Sequence, residues 1–261
     1  SRVRLYQDLN RKLGPLDELA YQSFVQRRLD GEPTAYITKQ VEFYGLDFYV
    51  DPRVLIPRPE TEILVEEALK RAHGKVKILD LCTGTGEVAK LIIRRIGSEG
   101  SLTCLDFCEE MLEVARRKLS PIPANMTFVV SDVREMSFPK NSFDAITVAF
   151  GMRNVPDTEV ALKKILSVLE PGGRFLCLEL TKPTKRWFLP LYKWYTFKFM
   201  PAVAAIITKS EVPYTYLPRS IDVFYPPEEF TQLMKGCGFT DVTFRSMSMG
   251  VATLYRAVKG G

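Results

Sequence analysis

The 261-residue chain is poor in the residues that most often carry metal or nucleophilic chemistry. It has one histidine, His73, beside Gly74 at an expected helix end, where a solvated terminal residue is more natural than a catalyst. The five cysteines, Cys82, Cys104, Cys108, Cys177 and Cys237, form no CxxC pair. They read as buried, reduced thiols of a cytoplasmic protein rather than as disulfides or metal ligands, so no metal is expected. There is no run of about 20 apolar residues and no signal-peptide pattern, which argues against a membrane span. Repeats and low-complexity segments are also missing. Charge of one sign does not dominate either: the net charge is +5, enough for a local basic patch but not for a general nucleic-acid binder. What is present is ample apolar material, 46% of the residues, which fits one large domain with a small appendage.

The organising stretch is Val76 to Gly86. An apolar run, Val76, Ile78, Leu79 and Leu81, has the composition of a buried strand. The turn Thr83-Gly84-Thr85-Gly86 follows, and Val88 to Ile96 has helical periodicity. Strand, glycine turn and helix let backbone N–H groups approach a ligand closely, although glycine turns also serve as plain punctuation. No Lys-Ser/Thr follows the last glycine, so this is not a P-loop, and Ala89 breaks the GxGxxG spacing. The next strand, Ser101 to Phe107, carries Asp106 20 residues after Gly86. An acid at that offset accepts the two hydroxyls of a ribose. The reading is an adenosyl cofactor with a free ribose.

Alternation of strand and helix continues to the end: helix at Met111–Leu119, strands at Met126–Ser131 and Phe143–Phe150, helix at Val160–Leu169 ended by Pro171-Gly172-Gly173, strand at Arg174–Leu180. An irregular stretch precedes a helix at Pro227–Lys235 and strands at Phe239–Arg245 and Gly250–Val258. This order predicts a mostly parallel sheet with helices on both faces, with the last two strands antiparallel. The domains expected are 1–74, a helix and β-hairpin segment, and 75–261, with an insertion at 182–225. In the first, Leu16 to Leu29 reads as a helix with Leu19, Ala20, Phe24 and Leu29 inward, and Ala35 to Val50 as two strands around Tyr44-Gly45. Pro59 then opens a helix rich in acids at its start.

Two families are recognisable. GEPTAYIT (Gly31–Thr38), EFYGLDFYV (Glu42–Val50) and LIPRPETE (Leu55–Glu62) resemble the release-factor glutamine methyltransferases over about residues 25–70, with a departure at Lys39, where that family has Gly. From Lys75 to Lys259 the chain resembles the ubiquinone/menaquinone-biosynthesis C-methyltransferases. The residues that carry this are LDLCTGTGEVA (Leu79–Ala89), LDFCEEMLEVARRKL (Leu105–Leu119), VAFGMRNVPD (Val148–Asp157), LEPGGRFLCLELTKP (Leu169–Pro183) and YTYLPRSI (Tyr214–Ile221), the FGMRNV segment being the most specific. The resemblance implies a class I, Rossmann-like α/β fold with a seven-stranded, mostly parallel sheet and S-adenosylmethionine at the carboxyl ends of its central strands. It implies Asp106 on the ribose, Asp132 and Val133 beside the adenine, and Thr85 and Ala149 lining the pocket. Asp80, Gly84, Gly86 and Phe107 complete the expected cofactor set. The two resemblances compete: the quinone family's own lid segment before the glycine strand is missing, and the Asn-Pro-Pro-Tyr box of the glutamine family is replaced by Ala149-Phe150-Gly151-Met152-Arg153-Asn154. The chemistry box follows the quinone family.

The implied reaction is methylation of a ring carbon of a polyprenylated quinol. The alternatives are methylation of a glutamine in a protein such as a peptide release factor, or a hybrid that binds cofactor without turnover. Because the cofactor brings the electrophile, the protein must align the nucleophile and exclude water. Arg153 is expected to hold phenolate charge, or else to pair with a neighbouring acid, and Asn154 to orient a hydroxyl or water. Asp157 suits the cap of the following helix. Lys182 to Lys209 holds both tryptophans, six basic residues and no acid. It fits a membrane interface, a cover over a long apolar substrate, or ordinary core helices; Ala202–Ile207 is too apolar for a nucleic-acid track, so no nucleic-acid partner is expected. Trp187, Trp194, Tyr214 and Tyr216 are the expected substrate contacts. The protein is expected in the cytoplasm, with peripheral contact at the inner face of the membrane; its oligomeric state stays open, a homodimer included.

Overall fold

The computed structural model describes residues 14–43, 45–52, 56, 59–70, 75–183, 189–194 and 212–261. The chain divides into two compact units, Ser1–Pro57 and Arg58–Gly261. The border therefore falls before the expected residue 74. The helix after Pro57 buries Leu64, Val65 and Ala68 against the sheet of the larger unit, so it belongs with that unit.

In the smaller unit, helix α1 (Pro15–Leu29) opens on a proline with Asp17 and Glu18 in its first turn and closes with Arg27 and Arg28. These are the charges that a helix dipole favours at each end. Its apolar residues do not face inward as expected. Leu19, Phe24 and Leu29 are 63%, 44% and 75% exposed, because the rest of the described part of this unit, one short helix and one hairpin, offers little apolar surface to cover them. The stretch from Ala35 departs too. It begins as helix α2 (Thr34–Thr38), which ends at Lys39 in the left-handed conformation, φ 55° and ψ 24°. Only then do β1 (Gln40–Phe43) and β2 (Leu46–Tyr49) pair antiparallel, Gln40 opposite Tyr49; Tyr44 of the expected turn lies outside the described residues.

The larger unit begins with α3 (Pro59–Leu69) and holds seven strands: β3 (Lys77–Leu81), β4 (Ser101–Asp106), β5 (Met126–Val130), β6 (Phe143–Ala149), β7 (Leu169–Leu180), β8 (Phe239–Met247) and β9 (Ala252–Lys259). They form one sheet in the order β5-β4-β3-β6-β7-β9-β8. Five strands run parallel, and β9 is antiparallel to both its neighbours, as the short link before it requires. The chain steps outward from β3 to β5, then returns to β6 on the other side of β3. Such a reversal opens a crevice at the carboxyl ends of the strands. Helices α4 (Glu87–Ile96), α5 (Glu109–Lys118) and α6 (Thr158–Val168) connect the parallel strands. They bury Leu91 and Ile92, Leu112, and Leu162 and Ile165, respectively. Leu79, Ile146, Phe175 and Tyr255 lie in the central cluster.

Three local differences from the sequence reading have physical causes. Pro171-Gly172-Gly173 lies inside β7: Leu169 pairs with Phe143, the ladder bulges, and pairing resumes at Arg174 opposite Ala145. Helices α7 (Leu189–Trp194) and α8 (Val212–Val223) fall in the stretch read as irregular, where Pro190, Pro213 and Pro218 interrupt the helical pattern. Asp157 precedes α6 at the cap position, but its side chain makes no capping bond and accepts from Arg134 Nη1 at 3.4 Å instead. Helix α9 (Pro227–Gly236) leads into β8 as expected. All five cysteines are free thiols, three of them buried. His73, Trp187 and most of Lys182–Lys209 lie outside the described residues.

Candidate active site

A cavity of about 510 Å³ opens at the carboxyl ends of β3, β4 and β6, in the size range of small-molecule sites. Its floor comes from the β3 turn. Asp80, at the end of β3 and 1% exposed, accepts from Thr147 Oγ1 at 2.6 Å and from Thr83 Oγ1 at 3.0 Å. Burial raises its pKa to about 7, against the lowering effect of those two hydroxyls and with a further push from Asp106. Asp80 thus ties the turn to β6 and does not line the cavity. Thr85 does not line it either: its hydroxyl donates to Glu87 Oε2 at 2.7 Å, and neither it nor Gly86 is on the wall, whereas Gly84 is.

Asp106 is on the wall. Its Oδ2 accepts from the Gly84 amide at 2.8 Å and its Oδ1 from the Cys108 amide at 2.9 Å. One bond to each oxygen fixes the carboxylate yet leaves lone pairs for two hydroxyls. Phe107 stands beside it, 74% exposed, and Met111 is 46% exposed. Opposite, Val133 is 4% exposed and Ala149 lines the end of β6. Asp132 lines the cavity with its carboxylate held by Arg134, at 2.7 Å from Nη2 and 3.0 Å from Nε. That pairing keeps its pKa below the ordinary carboxylate value. A fixed, partly unsatisfied carboxylate between two apolar faces fits an adenosine.

The far end is built by the turn after β6. Phe150 adopts φ 57°, as Cys82 adopts 53° across from it, so backbone strain gathers at the cavity. Gly151 is required by a close approach: a Cβ there would sit 2.4 Å from Cys82 Cβ. The turn Met152–Asn154 then presents Asn154 to the cavity. Arg153 does not take the cavity-facing role. Its side chain is 9% exposed and its Nη1 lies 2.6 Å from Glu179 Oε1, on β7. Its backbone amide donates to Glu179 Oε2 at 3.0 Å. This is the acid-pairing alternative that the sequence left open.

Helix α8 meets this turn. Tyr216 Oη donates to Asn154 Oδ1 at 2.7 Å, and Arg153 Nε donates to Ser220 Oγ at 3.3 Å. Two residues expected at separate sites, Asn154 and Tyr216, are therefore in contact. Tyr214 is in α8, and Trp194 in α7 is 52% exposed. Glu179, Ser220 and Thr147 were not singled out from sequence. For Glu179 a signal existed: it is the one charge in the apolar run Phe175–Leu180, and a buried charge needs a partner.

The reversed parallel sheet, the glycine turn and the acid at the end of β4 define a class I S-adenosylmethionine-dependent methyltransferase. Residues 62–259 match the ubiE/COQ5 methyltransferase family, and the chain belongs to that family. Ubiquinone/menaquinone biosynthesis C-methyltransferase UbiE of Rickettsia bellii is 39% identical over 187 residues, 70% of this chain and 75% of that protein. The UbiE of Pseudomonas fluorescens is 38% identical over 185 residues, covering 70% and 72%. Residues 1–38 match the PrmC N-terminal domain, in line with the second resemblance at the front of the chain.

Solved structures share the fold at low identity. A phosphoethanolamine N-methyltransferase 2 from Haemonchus contortus, in complex with S-adenosylhomocysteine, superposes with TM-score 0.59 at 18% identity, over 77% of this chain and 52% of that one. The [4+2]-cyclase SpnF superposes with TM-score 0.60 at 16% identity, over 81% and 85%.

Proposed function

We propose that the protein methylates a ring carbon of a polyprenylated quinol, with the quinol ring at the cavity end formed by Phe150, Gly151 and Asn154. The observation that carries this is Asn154 on the wall of the cavity at the end of the FGMRN turn. Support comes also from relatives named for ubiquinone and menaquinone biosynthesis, matched over about three quarters of their length. S-adenosylmethionine, when bound, supplies an electrophilic methyl group on a sulfonium.

The chain's own residues do the rest. Asp106 accepts the ribose hydroxyls, while Phe107 and Val133 flank the base and Asp132 stands beside it, with Gly84 and Ala149 on the same wall. Asn154 uses its oxygen on Tyr216, so its amide nitrogen is the donor it offers to a quinolate oxygen. Arg153, neutralised by Glu179, fixes the turn rather than holding the quinolate directly. Asp80, Thr85 and Gly86 shape the floor. No described helix is long and apolar enough to cross a membrane, and a polyprenyl tail is insoluble. We infer that the protein collects it at the inner membrane face through the 182–225 segment, with Trp187, Trp194, Tyr214 and Tyr216 at the apolar contact. Exposed Trp194, Tyr216 and Val223, the last 86% exposed, support this.

A radiolabelled-methyl assay tests the substrate. The expected outcome is label in the organic extract with the quinol; label retained on release factor would assign the activity to a protein glutamine. Full affinity for S-adenosylhomocysteine with no label on either acceptor would mean that the cavity binds cofactor without turnover. In vesicle sedimentation, binding should rise with anionic lipid and fall with salt, and the double substitution of Trp187 and Trp194 by Ala should weaken it. Unchanged sedimentation of that variant would refute the membrane role.

A further inference from the structure

Glu179 is the least solvated charge near the cavity, yet it does not touch it. It is fully buried on β7, and three donors converge on it: Arg153 Nη1, the Arg153 amide and the Leu180 amide at 2.8 Å. An isolated carboxylate there would be costly, and even a paired one is weak evidence for stability. A buried pair of this kind needs a reason to be in its place. The reason visible here is the direction in which Arg153 passes the constraint on. Its guanidinium also donates to the Phe150 carbonyl, which fixes the start of the turn, and its Nε reaches Ser220 on α8. One residue further, Asn154 receives Tyr216 of the same helix. Tyr216 and Ser220 are four apart, so they project from one face of α8. The planar fork of arginine is what allows one side chain to serve Glu179, Phe150 and Ser220 together.

We propose that Glu179 is a positioning residue which, through Arg153, sets the turn that presents Asn154 and clips α8 to that turn. With Glu179 in place, the hydrogen bonds at Ser220 and Tyr216 form as a pair and hold the helix at the quinol end of the cavity. Without it, the guanidinium loses its anchor, the turn relaxes and both clips loosen. The part of this that concerns turnover rests on the quinol reading above; the coupling itself does not.

Hydrogen exchange read by mass spectrometry on the full chain tests the coupling without any substrate. In Glu179→Gln, exchange over residues 212–223 should accelerate about tenfold, the factor expected for losing a bond to a charged group. Exchange in β3 and β4 should be unchanged, and affinity for S-adenosylhomocysteine should stay within about twofold, since Glu179 does not line the cavity. Tyr216→Phe combined with Ser220→Ala should accelerate the same segment. Should Glu179→Gln fail to fold, Arg153→Lys keeps the buried charge pair but lacks the fork to Ser220, and the same regional acceleration is expected. Acceleration spread evenly over the sheet would mean that Glu179 is merely structural, and no change at 212–223 in the double variant would mean that there is no clip; either overturns the proposal. With the coupling present, Glu179→Gln should lower kcat on a long-tailed quinol more than it raises KM. Regional acceleration together with a wild-type protein inactive on every quinol would refute the substrate reading and leave the coupling standing.

Discussion

Asp80 gives the sharpest energetic prediction. Its carboxyl is enclosed, and its pKa rises from 3.8 to about 7 because burial penalises the charged form more than Thr147 and Thr83 favour it. The folded state therefore holds a proton that the unfolded state releases. Between about pH 4 and pH 7 unfolding sheds that proton, so stability from this group falls as pH rises and is level above and below the window. A shift of about 3 units corresponds to about 4 kcal/mol at pH 8.

Asp80→Asn removes the titration while keeping the bonds. Its oxygen can accept from Thr147. Its amide nitrogen can donate to Thr83 Oγ1, whose own proton can then turn to the Asp80 main-chain carbonyl, 2.8 Å away. In urea unfolding at pH 4.5, 6 and 8, the variant should be close to wild type at the lowest pH and more stable by about 4 kcal/mol at pH 8, with an unchanged m value. The difference between the proteins is the quantity to read, because Glu179 is also raised by burial and titrates in both. A difference that does not grow with pH would refute the reasoning. Cofactor affinity should be unaffected, and its loss would return Asp80 to the cofactor set that the sequence suggested.

Most of the sheet was legible because β3, β4, β6 and β7 are buried over most of their length and so read as dense apolar runs. Asp106 and Ala149 could be placed on the wall because they end β4 and β6, where a chain reversal fixes direction, and Val133 because it follows closely on β5. Thr85 and Gly86 could not be separated from Gly84 in that way. Which atoms of a four-residue turn face a cavity depends on φ values, and Cys82 at φ 53° announces nothing in sequence. Arg153 was ambiguous because its partner is 26 residues away, on β7. Lys39 is the reverse case: the absence of Gly was visible, but not its consequence, a left-handed lysine closing a helix where a strand was expected.

Three further perturbations test the geometry. Asp106→Ala should weaken S-adenosylhomocysteine binding in calorimetry by about 1.5–3 kcal/mol, the range for hydrogen bonds to a charged group; undiminished affinity would remove Asp106 from the ribose. Lys39→Gly should raise stability of the smaller unit by about 0.5–1 kcal/mol, since relief at φ 55° exceeds the added unfolded-state entropy; a loss in exchange protection around residues 34–50 would contradict that. The third concerns the wedge between the two turns. Gly151→Ala places a methyl 2.4 Å from Cys82 Cβ and 2.8 Å from its sulfur, and one of the two turns must move. Neither has room to yield, because Thr83 is tied to Asp80 and Phe150 to the Leu178 carbonyl at 2.7 Å. The expected loss is about 1–3 kcal/mol in urea unfolding, as for an overpacked core. Cys82→Gly added to that background removes the opposing side chain and also suits φ 53°, so it should recover most of the loss. Equal costs with and without Cys82 would mean that the glycine is needed for some reason other than this contact.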